Sequence, residues 1–382
     1  MKRIILFVVP SISSCDAFLT ELFEGLLSGG FDVHLVCSSA RVGDTDSSLP
    51  RGVIVHSCNI PRGFSFLQIF DSCRRIRQIL REVDPSIIHG HFVIGALLAA
   101  ICGVNSRRRT IVTFHGLHSG GGLLSASVSL VERCAGVLAD EIEVLTEDDY
   151  KRLARIPMIG EKVRALGVPG VGCRLPEFDS GELASESETL RRGLGIDESA
   201  PVFIFVGRAV AFKGYASAVR AFRKYRDVFG AGYLIILGAN DPLHDDGLEP
   251  EERKWRDQCP GVKQVGWQPN VGAWMNLGTV LLFPSVREGL PVCVMEAMAV
   301  GLPVIAVDTR GCRDLISDRQ NGILLESASD DSLFDAMKEL VQDVALRKRL
   351  AEGSREYAAQ YLSRDIFVER QCKVYERMLS LL

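Results

Sequence analysis

Short apolar runs alternate with amphipathic stretches along the whole chain. In the first half, Arg3–Val9, Asp32–Ser38, Val53–Cys58, Ser86–His89, Thr110–Phe114 and Ile142–Leu145 are too short for helices and read as buried strands. Between them, "DAFLTELFEGLLSGG" repeats its apolar residues at helical spacing and stops at Gly29-Gly30. Phe66–Val83 is a second amphipathic helix. The second half repeats the pattern, with "PVFIFVG", "YLIILGA", "VKQVGW", "TVLLFPS", "PVIAVD" and "GILLE" as strands. Such alternation predicts parallel sheets covered by helices on both faces. Between the halves, "GVPGVGCRLPEFDSGELASESE" loses its hydrophobic period and fills with Gly, Pro, Ser and acids, as linkers do. The expected organisation is a doubly wound α/β domain over residues 1–170, a linker over 171–188 and a second such domain over 189–364. A last amphipathic helix covers 365–382, and the active cleft is expected between the domains.

Composition changes this picture little. A chain of 382 residues exceeds what one core holds, and its net charge of -4 gives no reason to expect a nucleic-acid partner. The eleven cysteines are scattered singly, without the spacings that hold zinc, and read as buried thiols of a reducing compartment. "MKRIILFVVP" imitates a signal peptide, but its apolar run is short and reads as a first strand. No stretch approaches the ~20 apolar residues of a membrane span, so a soluble, cytoplasmic protein is expected, at most peripheral on the inner face of a membrane. G-x-G-x-x-G after the first strand, G-K-[ST], H-E-x-x-H and G-x-S-x-G are all missing.

Candidate chemistry concentrates in the second half. "SVREGLPVCVMEAMAVGLPVIAV" places Glu288 and Glu296 at the two ends of an apolar segment. Glu288 follows a predicted strand, Pro291 suits the first turn of a helix, and Glu296 falls within its first two turns. The amides of Gly289 and Leu290 then lie near a helix N-terminus, suited to an anion such as phosphate. Two carboxylates around an anion site fit the hydroxyls of sugars attached to either end of that anion. "VGRAVAFKG" adds Arg208 and Lys213 in the loop after another strand, an Arg fork and a Lys point charge suited to a diphosphate.

"GRAVAFKG", followed about 75 residues later by "EGLPVCVMEAMAVGLPVIA", resembles the retaining glycosyltransferases of family 4, which have the GT-B fold. "RGCRDLI" and "NGILL" resemble the branch that builds capsule, O-antigen and lipid-linked oligosaccharides. One departure is Pro291, where many members carry a glycine; proline offers no N–H to a phosphate. The resemblance implies two Rossmann-like domains with an interdomain cleft, and a last helix crossing back onto the first. It implies transfer of a hexosyl or N-acetylhexosaminyl group from a nucleotide diphosphate sugar, UDP-linked, to a saccharide acceptor carried on a polyprenyl pyrophosphate. Arg208 and Lys213 would neutralise the departing diphosphate, Glu296 would bind ribose, and Glu288 would hold the sugar and stabilise positive charge on its ring. No metal or other cofactor is expected, since these cations and amides supply the positive charge.

The first half should then serve the acceptor. "TIVTFHGLHSGGG" ends a strand with His115-Gly116, where the family carries a histidine near the reacting centre. His118 and, from "IIHGHF", His91 are weaker cleft candidates, the latter for acceptor contact. In "PSISSCDAF", Ser13 reads as a helix cap with Asp16 three residues on, while Ser14 is open to cap and cleft roles. Arg74, Arg75, Arg77 and Arg81, behind "FSFLQIF", and Arg107–Arg109 read either as solvated helix faces or as contacts to an anionic bilayer. Two other classes stay open: a sugar-nucleotide epimerase of the same fold and a non-catalytic sugar-nucleotide binder.

Overall fold

The structure, a computed structural model, describes residues 2–38, 49–61, 63, 65–104, 107–118, 123–168, 170–178, 180–239, 241 and 244–382. The chain forms two compact units, one of Met1–Val171 with Arg364–Leu382 and one of Gly172–Ser363.

The first unit contains β1 (Ile4–Ser11), α1 (Ile12–Phe18), α2 (Thr20–Ser28), β2 (Asp32–Ser38), β3 (Ile54–Ser57) and α3 (Phe66–Val83). It continues through β4 (Ile87–His91), α4 (Phe92–Gly103), β5 (Arg109–Phe114), α5 (Leu123–Leu138), β6 (Glu141–Val144), α6 (Glu147–Ala154) and β7 (Val163–Ala165). All strand pairs are parallel, in the order β3-β2-β1-β4-β5-β6-β7. Parallel strands buried on both faces explain why they read as continuous apolar runs. The order reverses between β1 and β4, where open α/β sheets hold ligands at the strands' carboxyl ends.

The two faces of this sheet differ. Leu6, Val8, Ile88, Val112, Phe114, Ile142 and Val144 enter apolar clusters with α3, α4, α5 and α6. Phe7, which register pairs with His89, and Thr113, which it pairs with Glu143, alternate with those residues and occupy the other face together with these partners. The C-terminal helix α15 (Arg364–Ser380) covers that polar stripe and belongs to this unit. Gln371 donates to Glu143, Arg377 bonds Glu141 at 2.6 Å, and Tyr375 bonds His89 at 2.7 Å.

The second unit holds α7 (Ser180–Gly193), β8 (Val202–Val206), α8 (Tyr215–Phe229), β9 (Tyr233–Leu237), α9 (Pro250–Gln258), β10 (Val262–Gly266) and α10 (Val271–Asn276). It goes on through β11 (Val280–Phe283), α11 (Val292–Val300), β12 (Val304–Val307), α12 (Arg310–Leu315), β13 (Ile323–Leu325), α13 (Asp330–Gln342) and α14 (Val344–Tyr361). Its parallel sheet runs β10-β9-β8-β11-β12-β13 and reverses between β8 and β11.

Three expectations need correction. Residues 171–188 are not a plain linker: they contain a 3-10 turn at Leu175–Phe178 and the start of α7, within the second unit. Helix α7 buries Leu183 and Ser187, and the Ser187 hydroxyl bonds the carbonyls of Leu183 and Ala273, so a serine occupies a core position. The helix expected from Asp16 is two helices broken at Leu19 (φ -124°), where the Thr20 hydroxyl competes for the Cys15 carbonyl. Helix α1 starts at Ile12 with Ser11 as its N-cap, so Ser13 lies inside the helix rather than capping it, and Asp16's side chain lies outside the described residues.

Candidate active site

In the second unit, the loops after β8 and β11 meet at the point where strand order reverses. The carbonyl of Phe212 accepts from the Val286 N–H at 3.1 Å and from the Ser285 hydroxyl at 3.2 Å. Gly214 has φ 72°, and any Cβ there would run into the Pro284 backbone, so only glycine lets the loops close up. This clip brings Lys213 to Glu288, 75 residues away in sequence, with Nζ to Oε1 at 2.6 Å. Both side chains are largely shielded, at 23% and 9% exposure. A lysine at this depth would lack water to solvate its charge, and the glutamate supplies the counter-charge. An ammonium has two further N–H donors for an incoming anion.

Arg208 is exposed at the end of β8 and is held by Asp241, which follows β9, at 2.5 Å. Asp241 also bonds His244 Nδ1 at 3.0 Å, and the Arg208 guanidinium lies 5.6 Å from the Phe212 ring centroid. Both predicted phosphate cations therefore face carboxylates.

Pro291 is the N-cap of α11, one position before the first turn where it was expected. Gly289 and Leu290 lead directly into that N-cap; the Val294 N–H already bonds the Pro291 carbonyl at 3.2 Å, and it is the N–H groups ahead of it in the first turn that a helix start offers to an anion. Glu296 sits half-buried in the second turn. Both carboxylates act on Cys293: burial first, then Glu288 and Glu296, push its thiol far up and keep it protonated. Arg310 Nε donates to the Glu288 carbonyl at 2.9 Å, and Gly311 lets α12 press against the carbonyl of Gly289. Asp241 and Arg310 were missed from the sequence; the only signal was an acid two residues after "LGA" and an Arg-Gly pair opening a helix.

The first unit contributes a different chemistry. His115 follows β5, and its Nε2 lies 3.0 Å from His91 Nδ1 at the end of β4. Phe92 stacks on His115 with ring centroids 4.2 Å apart. Phe92 holds φ 61°, a conformation costing a bulky residue about 1–3 kcal/mol, at the turn that presents its ring. Burial lowers the His115 pKa to about 4, so the ring is neutral near pH 7. His91 corrects an expectation: at 2% exposure it lies beneath His115 and cannot contact an acceptor as placed. Burial, then His89 and His115, hold its pKa well below the usual histidine range.

Beneath this pair, His89 is fully buried, with Nε2 2.7 Å from Thr113 Oγ1, which donates to Glu143. Burial raises Glu143 to about 7 against the lowering effect of its Thr113 and Gln371 hydrogen bonds. The Ser14 hydroxyl lies 2.9 Å from that of Ser11. The turn at His118 is pinned through its backbone: its N–H donates to buried Glu132 and its carbonyl accepts from Arg152.

The basic segments separate as well. Arg108 bonds Asp84 and the Leu80 carbonyl, and Arg109 bonds Asp140 and the Leu381 carbonyl, so both serve the fold. Arg74, Arg77 and Arg81 are exposed on α3, whose first turns carry exposed Phe66, Leu67 and Phe70. Among the described residues, no helix is long and apolar enough to cross a membrane.

Two doubly wound units, each built on a parallel sheet with a strand-order reversal, have the GT-B architecture. The family described as Glycosyl transferases group 1 matches residues 186–357, and the Glycosyl transferase 4-like domain matches residues 15–207. The chain belongs to this glycosyltransferase family. It is 21% identical to the capsular polysaccharide biosynthesis glycosyltransferase CapM of Staphylococcus aureus, over 100% of this chain and 99% of that one. It is also 21% identical to the UDP-Gal:alpha-D-GlcNAc-diphosphoundecaprenol alpha-1,3-galactosyltransferase of Escherichia coli, over 89% of this chain and 87% of that one. The crystal structure of Anabaena HepE in complex with UDP superposes with a TM-score of 0.77 at 17% identity, covering 100% of both chains.

Proposed function

We propose that the protein transfers a hexosyl or N-acetylhexosaminyl group from a UDP-sugar to a lipid-linked saccharide, with retention at the anomeric carbon, in surface polysaccharide synthesis. The observation that carries this reading is the Lys213–Glu288 pair, which joins two loops at the reversal between β8 and β11, beside the N-terminus of α11. A diphosphate seated there gains negative charge as its bond to the sugar breaks. Lys213, Arg208 and the helix amides meet that charge as it grows, which lowers the barrier more than it tightens substrate binding. No metal is needed for that step. Glu288 holds sugar hydroxyls and opposes the positive charge on the ring, while Glu296 takes the ribose hydroxyls. The acceptor hydroxyl attacks from the face that the diphosphate leaves and passes its proton to the departing phosphate, so that a glycosidic bond forms as the sugar–phosphate bond breaks. His115, neutral, contacts the sugar. Ser14 and His118 are further candidates for acceptor contacts, while Pro291 leaves the diphosphate to the neighbouring amides.

A lipid-linked acceptor is supported by the E. coli relative, whose name specifies a diphosphoundecaprenol substrate. It is supported in this chain by α3, where Phe66, Leu67 and Phe70 are 91%, 80% and 66% exposed ahead of three exposed arginines. Apolar rings followed by cations suit the surface of an anionic bilayer.

The test is a panel of nucleotide sugars scored for nucleotide release, with and without a polyprenyl-pyrophosphate saccharide, and the anomeric configuration of the product read by NMR. Release from a UDP-sugar that rises with the lipid acceptor, giving a product of the donor's configuration, is expected. An inverted product, or no dependence on any saccharide acceptor, would overturn the reading.

A further inference from the structure

We infer that His91 is a positioning residue: by donating from Nδ1 to Nε2 of His115, it makes His115 present an Nδ1–H donor to the sugar. The inference rests on the site role proposed for His115 and adds to it the proton that does the work.

The argument is a count of protons. A neutral imidazole has one N–H and one lone pair, so the 3.0 Å contact between the rings needs one donor and one acceptor. Two arrangements satisfy it. If His115 Nε2 donates, the only proton of His91 sits on its Nε2. That atom is buried and has no hydrogen-bond partner among the described residues. A buried N–H without an acceptor is the rarer defect in folded proteins, because the donor loses its water and gains nothing. If His91 Nδ1 donates, its Nε2 is a bare lone pair against the rings around it, and His115 carries its proton on Nδ1. The second arrangement leaves no buried donor stranded.

The surroundings hold the His91 ring in place. It stacks 5.9 Å from Phe7 and 4.1 Å from His89, centroid to centroid. His89 is in turn fixed by Thr113 and Tyr375, so it cannot rotate to take the stranded Nε2. Phe92 and Phe18 lie against His115, and its Nδ1 makes no hydrogen bond to the described residues. A donor left over at the end of a strand matches an oxygen of the sugar.

The tautomer of a histidine is set by the bond its other nitrogen makes, and NMR reads it directly. The full chain, labelled with 15N, is examined by two-bond 1H–15N correlation, and the His115 ring is assigned by its loss in His115→Gln. Wild-type His115 should carry Nδ1–H. In His91→Asn the amide supplies a donor near the place of Nδ1, so His115 should stay Nδ1–H and kcat should remain within about twofold. In His91→Phe the donor is gone, His115 should revert to Nε2–H, and kcat should fall about tenfold, one lost hydrogen bond's worth, with little change in KM. Wild-type His115 carrying Nε2–H would overturn the inference, and so would His91→Phe keeping both Nδ1–H and full kcat. If His91→Phe does not fold, the wild-type and His91→Asn spectra still decide. Undiminished transfer by His115→Gln would overturn the site role on which the inference rests, and the wild-type spectrum tells that failure from a wrong tautomer.

Discussion

The two strand-order reversals of this protein carry opposite chemistry. At the second-unit reversal, charges sit in pairs, Lys213 with Glu288 and Arg208 with Asp241, partly open to water. At the first-unit reversal the polar groups are neutral imidazoles in contact, with His89 and His91 buried and His115 half-buried above them. A doubly charged diphosphate suits the first kind of site, where charged donors and helix amides together replace its hydration. The second kind adds what carboxylates, which only accept, do not give a sugar: a fixed neutral donor that binds a hydroxyl oxygen without attracting ions. The first six strands of each unit follow the same order in the sheet, so the difference lies in the residues at the strand ends.

The strongest way to break this comparison is Glu288→Ala. Removing a carboxylate that opposes ring charge should lower transfer about 100-fold or more. Its loss also unties Lys213, so UDP should bind as well as before, or better. Calorimetry with UDP beside a transfer assay separates the two; an active variant, or one that no longer binds UDP, would sink the assignment. Lys213→Ala should do the reverse, raising the Kd for UDP about tenfold to 100-fold, as loss of a charged hydrogen bond does. That loss should shrink at high salt, whereas the effect of changing His115 should not, since a neutral ring feels no screening. Unaltered UDP binding by Lys213→Ala would remove the charged half of the comparison.

The neutral half can be sharpened by pH. His89 is lowered to about 3 and His115 to about 4, with His91 also well below the usual range. Folded values below 6.5 mean that these rings contribute full stability above pH 6.5, and the contribution is lost as pH falls toward the folded values. Glu143 runs the other way. Its folded value of about 7 exceeds the ordinary 4.5, so its contribution is whole below pH 4.5 and is lost as pH rises through 7. Between pH 7 and 5 it therefore offsets part of the histidines' loss. Glu143→Gln removes the offset, so the variant should lose more stability than the wild type over that range, by on the order of 2–3 kcal/mol. Urea midpoints at pH 7 and 5 measure it; an equal or shallower loss in the variant would show that Glu143 does not titrate in the fold.

Much of this was legible in the sequence. Buried parallel strands are continuous apolar runs, so all but the three-residue β7 were found, within about two residues at their ends. Arg208, Lys213 and Glu288 were legible because loops at strand ends follow from strand assignment alone. What stayed hidden depends on register and on partners far along the chain. That His91 pairs with Thr113, and so lies beside His115, is a fact of β4–β5 register. The partner of Arg208 is an acid 33 positions on, and Tyr375 reaches His89 across 286 positions. Helix α7 was missed because a core position holds Ser187, whose hydroxyl is satisfied by two carbonyls and breaks the apolar period.

Tyr375→Phe tests the smallest link. Thr113 donates its hydroxyl proton to Glu143, so His89 must donate from Nε2 to Thr113 and accept at Nδ1 from the Tyr375 hydroxyl. Removing that hydroxyl strands one buried acceptor without opening a large cavity, at a cost of about 1–2 kcal/mol. Melting should fall by about 2–8 °C. The His89–Thr113–Glu143 bonds remain, so His91 and His115 stay where they are and kcat should hold. A fall in transfer larger than the fall in stability would mean that α15 steers His115 through His89, and the neutral site would then extend to the C-terminal helix.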